Sequence, residues 1–356
     1  MPKPVVLITG ASGYVGARIV ETFLASKKYK VRGTVRDPTN PAKTAHLLAL
    51  PNASEDLELI KADLLDGADV WDAAVEGCDY VLHTASPFIL SPKDVERDLL
   101  QPALQGTTNV LDAVVRHKDK VKKTVVTSSI AAIMGDKYEK GVDGYVFTEK
   151  DWNETSTPKY KPYYYSKLIA ERKAWEIAAE HSLDMCTVNP TFVLGPCLSK
   201  TSSESISFVK NLVSGKFKSG VMDNRNGYVD VRDVAESHLL VLENGRPGER
   251  YLCSHGCGAG VGFLDYAGKV REVFPSLAGS LPTRNYGKAV LYGVGWLKGY
   301  SWWEVYNNVG CQFRYDVSKI GEEVGKTEWI DLGDILRDMI TGMKDLGIVD
   351  CDLGGK

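Results

Sequence analysis

A doubly wound α/β fold, a parallel sheet covered by helices on both faces with a smaller C-terminal substrate lobe beside it, is predicted by three features of the sequence. Short apolar runs alternate with amphipathic stretches as far as Asn189, the order that builds a parallel sheet with right-handed crossovers. A glycine-rich turn follows the first of those runs at once. After Pro190 the alternation gives way to a loop-rich stretch with a short helix near Ile206 to Val213, returns between 228 and 253, and is lost again. The domains are therefore expected to be discontinuous, 1–190 with 221–254 forming the sheet domain and 191–220 with 255–356 the substrate lobe. At 356 residues the chain is long enough for both.

Val5-Val6-Leu7-Ile8 has the unbroken apolar character of a strand buried on both faces. Gly10-Ala11-Ser12-Gly13-Tyr14-Val15-Gly16 follows, and an amphipathic helix begins near Tyr14 with Val15, Ile19, Val20, Phe23 and Leu24 on its apolar side. Glycine at 10 permits the tight turn, glycine at 13 lets the backbone approach phosphates, and glycine at 16 lets the helix pack closely. The N–H groups of this turn and helix start, Ser12 to Gly16, suit a pyrophosphate. The spacing G-x-x-G-x-x-G stands one residue of register from the commoner G-x-G-x-x-G.

The second strand, Tyr29 to Val35, ends at Arg36, with Asp37 and Lys43 beyond. A guanidinium there grips the 2′-phosphate of NADP, whereas an acid reads the ribose 2′-hydroxyl of NAD. Arg36 and Lys43 thus favour NADP(H), with Asp37 leaving NADH open. The third strand runs from Leu57 to an acid at Asp63 beside Leu64, near the expected adenine pocket. The fourth, Cys78 to Ala85, is expected to end under the ribose. His83 lies in that apolar run without a second ligand type near it and reads as a satisfied core histidine.

Residues 163 to 182 carry the periodicity of a helix opened by Pro162. Within Tyr163-Tyr164-Tyr165-Ser166-Lys167, a tyrosine four residues before a lysine shares its helix face, and the ammonium favours the phenolate. Tyr163 would then protonate an alkoxide formed as hydride arrives, a task beyond a free tyrosine of pKa about 10 near neutrality. Tyr164, three residues from Lys167, competes for the role, and Tyr165 reads as an exposed aromatic at the helix start.

Taken in order, Gly10-x-x-Gly13-x-x-Gly16, Val31 to Pro38, His83 to Phe88, Val126 to Ser129, Tyr163-x-x-x-Lys167, Asn189-Pro190 and Tyr228 to Ala235 resemble the extended short-chain dehydrogenase/reductases. Within them the chain looks like the group of dihydroflavonol reductases, cinnamoyl-CoA reductases and fungal NADPH-dependent aldehyde and methylglyoxal reductases. The resemblance covers residues 4 to 255. It implies a Rossmann sheet, NADP(H) as cofactor, and reduction of a small-molecule carbonyl to an alcohol. It also implies that Lys167 hydrogen-bonds the nicotinamide ribose, that Thr84, Ala85, Ser86, Thr127, Ser128, Pro190 and Val193 border the cofactor, and that Ser86, Phe88, Met134 and Tyr164 face the substrate.

A serine ending the fifth strand, Thr124 to Ser129, would hold the substrate oxygen as negative charge develops. By spacing to Tyr163, Ser129 resembles the catalytic serine of cinnamoyl-CoA reductases and Ser128 that of dihydroflavonol reductases. Ser129 is preferred because it directly precedes the small-residue turn Ile130-Ala131-Ala132, leaving Ser128 as a turn-stabilising hydroxyl. The catalytic set is thus Ser129, Tyr163 and Lys167, with Asn109 serving packing and helix-to-strand hydrogen bonding. Where dihydroflavonol reductases read their substrate with an asparagine five residues after the serine, this chain has Met134, or Ile133 counted from Ser128. Lys161-Pro162-Tyr163-Tyr164-Tyr165-Ser166-Lys167 also differs from the Asn-Trp-Tyr-Cys-Tyr-Gly-Lys of cinnamoyl-CoA reductases. The expectation is therefore a general reductase of aldehydes or ketones with apolar substituents. The alternatives are a reductase of either plant type, a sugar-nucleotide epimerase or hydroxysteroid dehydrogenase with the same triad, and a non-catalytic NADP sensor, which would need no Tyr163-x-x-x-Lys167.

Forty-three basic against 46 acidic residues give a net charge of −3. With no sustained basic block, nucleic acid is not expected as a partner. The N-terminus enters a strand at once and no apolar run approaches membrane-spanning length. Seven scattered cysteines, an odd number, suit reduced thiols and a cytoplasmic location. Cys253, His255 and Cys257 lack a matching fourth ligand, so no metal is expected. Between 286 and 311 crowd Tyr286, Tyr292, Trp296, Tyr300, Trp302, Trp303 and Tyr306, with four glycines between them. Packing over the C-terminal lobe is the first expectation for them. A homodimer interface or a lid over a hydrophobic substrate comes next, and a membrane-surface patch last, since Lys288 and Lys298 alone supply nearby positive charge.

Overall fold

The structure, a computed structural model, describes residues 2–87, 92–200, 203–256, 260–298 and 301–354. Phe88, Cys257 and Tyr300, singled out above, lie outside the described residues. The strands in chain order are β1 Val5–Ile8, β2 Lys30–Val35, β3 Leu57–Lys61, β4 Tyr80–His83, β5 Lys123–Thr127, β6 Tyr145–Phe147, β7 Met185–Pro190, β8 Phe192–Leu194, β9 Val221–Met222, β10 Tyr228–Asp230, β11 Arg250–Cys253, β12 Asn285–Tyr286 and β13 Phe313–Tyr315. Seven of them form the central sheet in the order β3-β2-β1-β4-β5-β7-β11, every pair parallel. The order reverses between β1 and β4, where a crevice opens beyond the strand ends.

The apolar runs explain the layering. On one face Ile19, Val20, Phe23 and Leu24 of the Tyr14–Ser26 helix join Val234, Val241 and Leu242 of the Val231–Asn244 helix over the sheet. On the other, the Ala68–Val75, Gln101–Arg116 and Pro162–His181 helices bury Trp71, Val110, Val114, Ala174 and Ile177. A separate core lies among the Glu204–Val213, Phe263–Val273 and Leu332–Asp345 helices, centred on Tyr266, Ile335, Leu336 and Met339.

The return of the chain between 228 and 253 differs from expectation. Only β11 joins the central sheet, whereas β10 pairs with β8 in a ribbon of its own. Asp230 ends β10 because its buried carboxylate accepts from the Arg232 N–H, capping the Val231–Asn244 helix, and from the Arg232 guanidinium. Two further parallel pairs, β9 with β12 and β6 with β13, join segments far apart in the chain. Among the described residues no helix is long and apolar enough to cross a membrane.

Candidate functional site

The glycine loop sits at the reversal of strand order. Gly10 has φ +67°, and a Cβ there would lie 3.1 Å from Ala85, so only glycine fits both the turn and the neighbouring strand end. At Gly16 a Cβ would stand 2.3 Å from the Gly10 carbonyl oxygen. The third glycine thus seats the helix on the loop itself. Gly13 precedes the helix in extended conformation and offers no side-chain cap, leaving the first N–H groups of the helix, from Tyr14 on, to point at a ligand. Tyr14 turns away, its hydroxyl donating to the Gly195 carbonyl at 2.7 Å.

Thr9 fastens this crevice. Its hydroxyl accepts from the Thr84 and Ala85 N–H groups, each at 3.0 Å, and lies 3.0 Å from His83 Nδ1. Burial, helped by the Lys167 charge, pushes His83 down to about 3, so the ring is neutral and Nδ1 accepts a hydrogen bond from the Thr9 hydroxyl. His83 is the satisfied core histidine expected. Thr9 was missed: a single threonine ending a strand carries no periodic signal.

Arg36, at the end of β2, and Lys43, on the Pro41–Leu48 helix that follows, are exposed and make no side-chain hydrogen bond or ion pair among the described residues. Asp37 is occupied, accepting from the Thr39 N–H at 2.9 Å and hydroxyl at 2.7 Å, bonds that hold its carboxyl below the usual range. Asp63 and Leu64 form a tight turn in which the Asp63 N–H donates to Asp66, while Asn109 donates to the carbonyls of Leu64 and Asp66 at 2.8 and 3.1 Å. That is the helix-to-strand role expected of Asn109.

The two serines at the end of β5 part company. Ser129 Oγ accepts from the Ala131 N–H at 3.1 Å and hydrogen-bonds Tyr163. Ser128 is no turn hydroxyl: it donates to the buried carboxylate of Glu171. The correction follows from strand alternation, which points adjacent side chains to opposite faces. Glu171 also receives Asn189 Nδ2 at 2.8 Å, Trp175 Nε1 at 3.1 Å and Arg250 Nε at 2.6 Å. Thr127 donates to His238 Nε2 at 2.7 Å, since Nδ1 of that ring donates to the Val234 carbonyl and burial keeps it neutral, down to about 4. Glu171 lies one helical turn beyond Lys167, an acid on the buried face that also carries Leu168, Ala174, Ile177 and Ala178, and that was the available sequence signal.

Lys167 is buried, its Nζ 5.9 Å from the Tyr163 ring centroid. Burial lowers it to about 8 against the pull of Glu171. Tyr163 is pushed up, first by burial and then by Tyr164, with the Ser129 bond opposing. The depression expected from Lys167 is not seen, and the phenol is a protonated donor at neutral pH. Tyr164 packs edge-on against Tyr163 at 6.1 Å and under the Lys161 ammonium. A small cavity of about 20 Å³, one water's room, is lined by His83, Ala85, Ser86, Thr127, Ser128 and Lys167 among others. A cavity of about 530 Å³ elsewhere, between Lys210 and Cys351, holds none of these residues.

On the C-terminal side, Met134 is buried against Phe147, Phe313 and Tyr315. Pro190 ends β7 buried, with Val193 half-buried beyond it. Lys161, just before the Pro162–His181 helix, donates to Asp136 at 2.7 Å and to Asn308 Oδ1 at 2.9 Å. Asn308 ends the Trp302–Asn308 helix, so the aromatic segment reaches the base of the tyrosine helix. Cys253 is buried and His255 stacks on Tyr228 at 4.9 Å. Among the described residues no group of three or more His, Cys, Asp or Glu could hold a metal ion.

Residues 6–254 match the model of the NAD dependent epimerase/dehydratase family. The chain is 37% identical over 278 residues to a cinnamoyl-CoA reductase of Medicago truncatula, covering 77% of this chain and 82% of that one. It is 34% identical over 285 residues to a (2S)-flavan-3-ol-forming anthocyanidin reductase of Vitis vinifera, with the same coverage. Among solved structures it resembles the yeast methylglyoxal/isovaleraldehyde reductase complexed with NADPH, with TM-score 0.78, 26% identity, and coverage of 97% of this chain and 100% of that one.

Proposed function

From the premise that the chain belongs to the NAD dependent epimerase/dehydratase family, we propose that it is an NADPH-dependent oxidoreductase that reduces aldehydes or ketones to alcohols. The observation that carries this is the Ser129–Tyr163 hydrogen bond at the end of β5, with Lys167 beneath it and the glycine crevice beside it. The fit to the cofactor rests on the tight glycine turn, where a Cβ at Gly10 would meet Ala85 and one at Gly16 the Gly10 carbonyl, and on two exposed cations, Arg36 at the end of β2 and Lys43 on the Pro41–Leu48 helix after it. Arg36 and Lys43 would hold the 2′-phosphate, Asp37 being turned to Thr39. The backbone from Ser12 to Gly16 would hold the pyrophosphate. The loops at Asp63 and Leu64 and at Thr84 to Ser86 would border the adenosine side, and Thr127, Ser128, Pro190 and Val193 the nicotinamide side.

NADPH, when bound, supplies the hydride. Ser129 orients the carbonyl oxygen through its hydroxyl, and Tyr163, kept protonated by burial, gives its proton to that oxygen as charge builds. Lys167 sits where its charge stabilises the phenolate left behind. Residues 1–190 with 221–254 form the cofactor domain, and 191–220 with 255–356 the substrate lobe. The separate core around Tyr266 and Met339 supports that division. Ser86 and Tyr164 would face a substrate with apolar substituents, a choice supported by the absence of a polar side chain at 134, where Met134 is buried against Phe147, Phe313 and Tyr315. Six free thiols among the described residues support a cytoplasmic location.

NADPH oxidation is to be followed against aryl and aliphatic aldehydes, dicarbonyls, dihydroflavonols and acyl-CoA thioesters. Tyr163→Phe is expected to lower turnover by about 10²–10⁴-fold while NADPH binding, read by fluorescence, is unchanged. Undiminished turnover in that variant would remove Tyr163 from the mechanism.

A further inference from the structure

The Trp302–Asn308 helix divides into two faces. Val305 and Asn308 turn inward, whereas Trp302, Trp303 and Tyr306 stand outward, 69%, 58% and 49% exposed. Trp296 is 68% exposed on the preceding turn. The expectation that these rings pack over the lobe is thus not met for the tryptophans. The local core is made by Leu291, Val305 and Val309 with Met222, Tyr286 and Tyr292; Trp302 leans on Tyr292 at 4.6 Å and Tyr306 on Tyr138 at 6.1 Å, yet all four outward rings keep about half or more of their surface exposed. Four large exposed aromatics on one short segment of chain mark a contact site.

The charges around it say what it contacts. Pairing of β9 with β12 brings Lys216 and Lys218 beside Arg284 and Lys288: Arg284 donates to the Ser219 carbonyl at 3.0 Å, and the Tyr286 hydroxyl to Ser219 Oγ at 3.0 Å. The fold thereby adds cations that sequence spacing does not place there. Between Glu272 and Asp316 the only acid in the sequence is Glu304, half-buried and with its carboxyl pushed up by burial. Asp223, just beyond β9 and near Lys288, is engaged by Arg225 at 3.5 Å, and none of the four cations is paired with an acid among the described residues, so this face is basic in a chain of net charge −3.

We propose that this face docks the protein reversibly on an anionic lipid bilayer. The indoles enter at headgroup level, where amphipathic rings are favoured, and Lys216, Lys218, Arg284 and Lys288 meet the lipid phosphates. Because Asn308 of the same helix bonds Lys161 at the base of the tyrosine helix, docking sets the bilayer beside the substrate lobe. That consequence rests on the reductase reading; the docking does not.

The full chain is to be sedimented with vesicles of phosphatidylcholine alone and of phosphatidylcholine with phosphatidylserine. Binding is expected with phosphatidylserine and to weaken with salt. It should fall about tenfold or more in Trp302→Ser/Trp303→Ser, while Lys216→Glu/Lys218→Glu should lose the preference for phosphatidylserine. NADPH affinity should stay unchanged in both variants, which checks their folding separately from docking. Absence of sedimentation with either vesicle by the parent protein would overturn the proposal. So would a dimer in light scattering that the tryptophan variant converts to monomer, which would mark the face as a contact between two copies of the chain.

Discussion

Glu171, buried at the edge of the small cavity beside Lys167, shows how one side chain organises a site. Its two oxygens take bonds from Ser128, Trp175, Asn189 and Arg250, and Arg250 is capped on its far side by the carbonyls of Glu149 and Asp151. A buried pair satisfied on every side is costly to break, about 3–5 kcal/mol when one partner is removed. Arg36 is its opposite, exposed and without a side-chain bond among the described residues. Arg36→Ala is expected to raise KM for NADPH about tenfold or more while leaving NADH little changed, measured by initial rates with each nucleotide; an equal effect on both would place the 2′-phosphate elsewhere. The placement of Tyr163 and Lys167 on one helix and of Arg36 at the end of β2 was legible in the sequence because it lies in local spacing. Glu171, Thr9 and His238 were not, because their partners lie on other elements and the pairing exists only once the sheet is assembled.

The glycine loop, as an element, is fixed by close approach more than by turn geometry. Gly16→Ala would drive a methyl group into the Gly10 carbonyl, both atoms being backbone-held, so the Tyr14–Ser26 helix must lift from the loop. The expected result is NADPH affinity lowered about tenfold or more, with a loss of about 1–3 kcal/mol in urea unfolding; unchanged affinity by fluorescence titration would contradict the seating described. The long strands were readable because buried parallel strands are continuous apolar runs. The pairs β6 with β13 and β9 with β12 were not. Strands of two or three residues have no period to detect, and their partners are set by tertiary packing.

The molecule as a whole carries two buried neutral histidines, His83 and His238, held down to about 3 and about 4 by burial. Their folded values are depressed, so below pH 6.5 the unfolded chain takes up protons that the folded one refuses. Stability is therefore full above pH 6.5 and lost as pH falls toward 4, by about 2–3 kcal/mol per pH unit from the two together. Urea unfolding at stepped pH measures this; a flat profile down to pH 4.5 would mean that the rings are protonated in the fold. Within the same molecule, the β6–β13 pair has a consequence for synthesis. All seven strands of the central sheet have emerged from the ribosome by Cys253, but β6 keeps a bare edge until Phe313–Tyr315 arrives. A nascent chain can thus complete its nucleotide crevice well before the wall behind Met134 is closed, and a chain truncated ahead of Phe313 carries an open edge ready to pair with a neighbour.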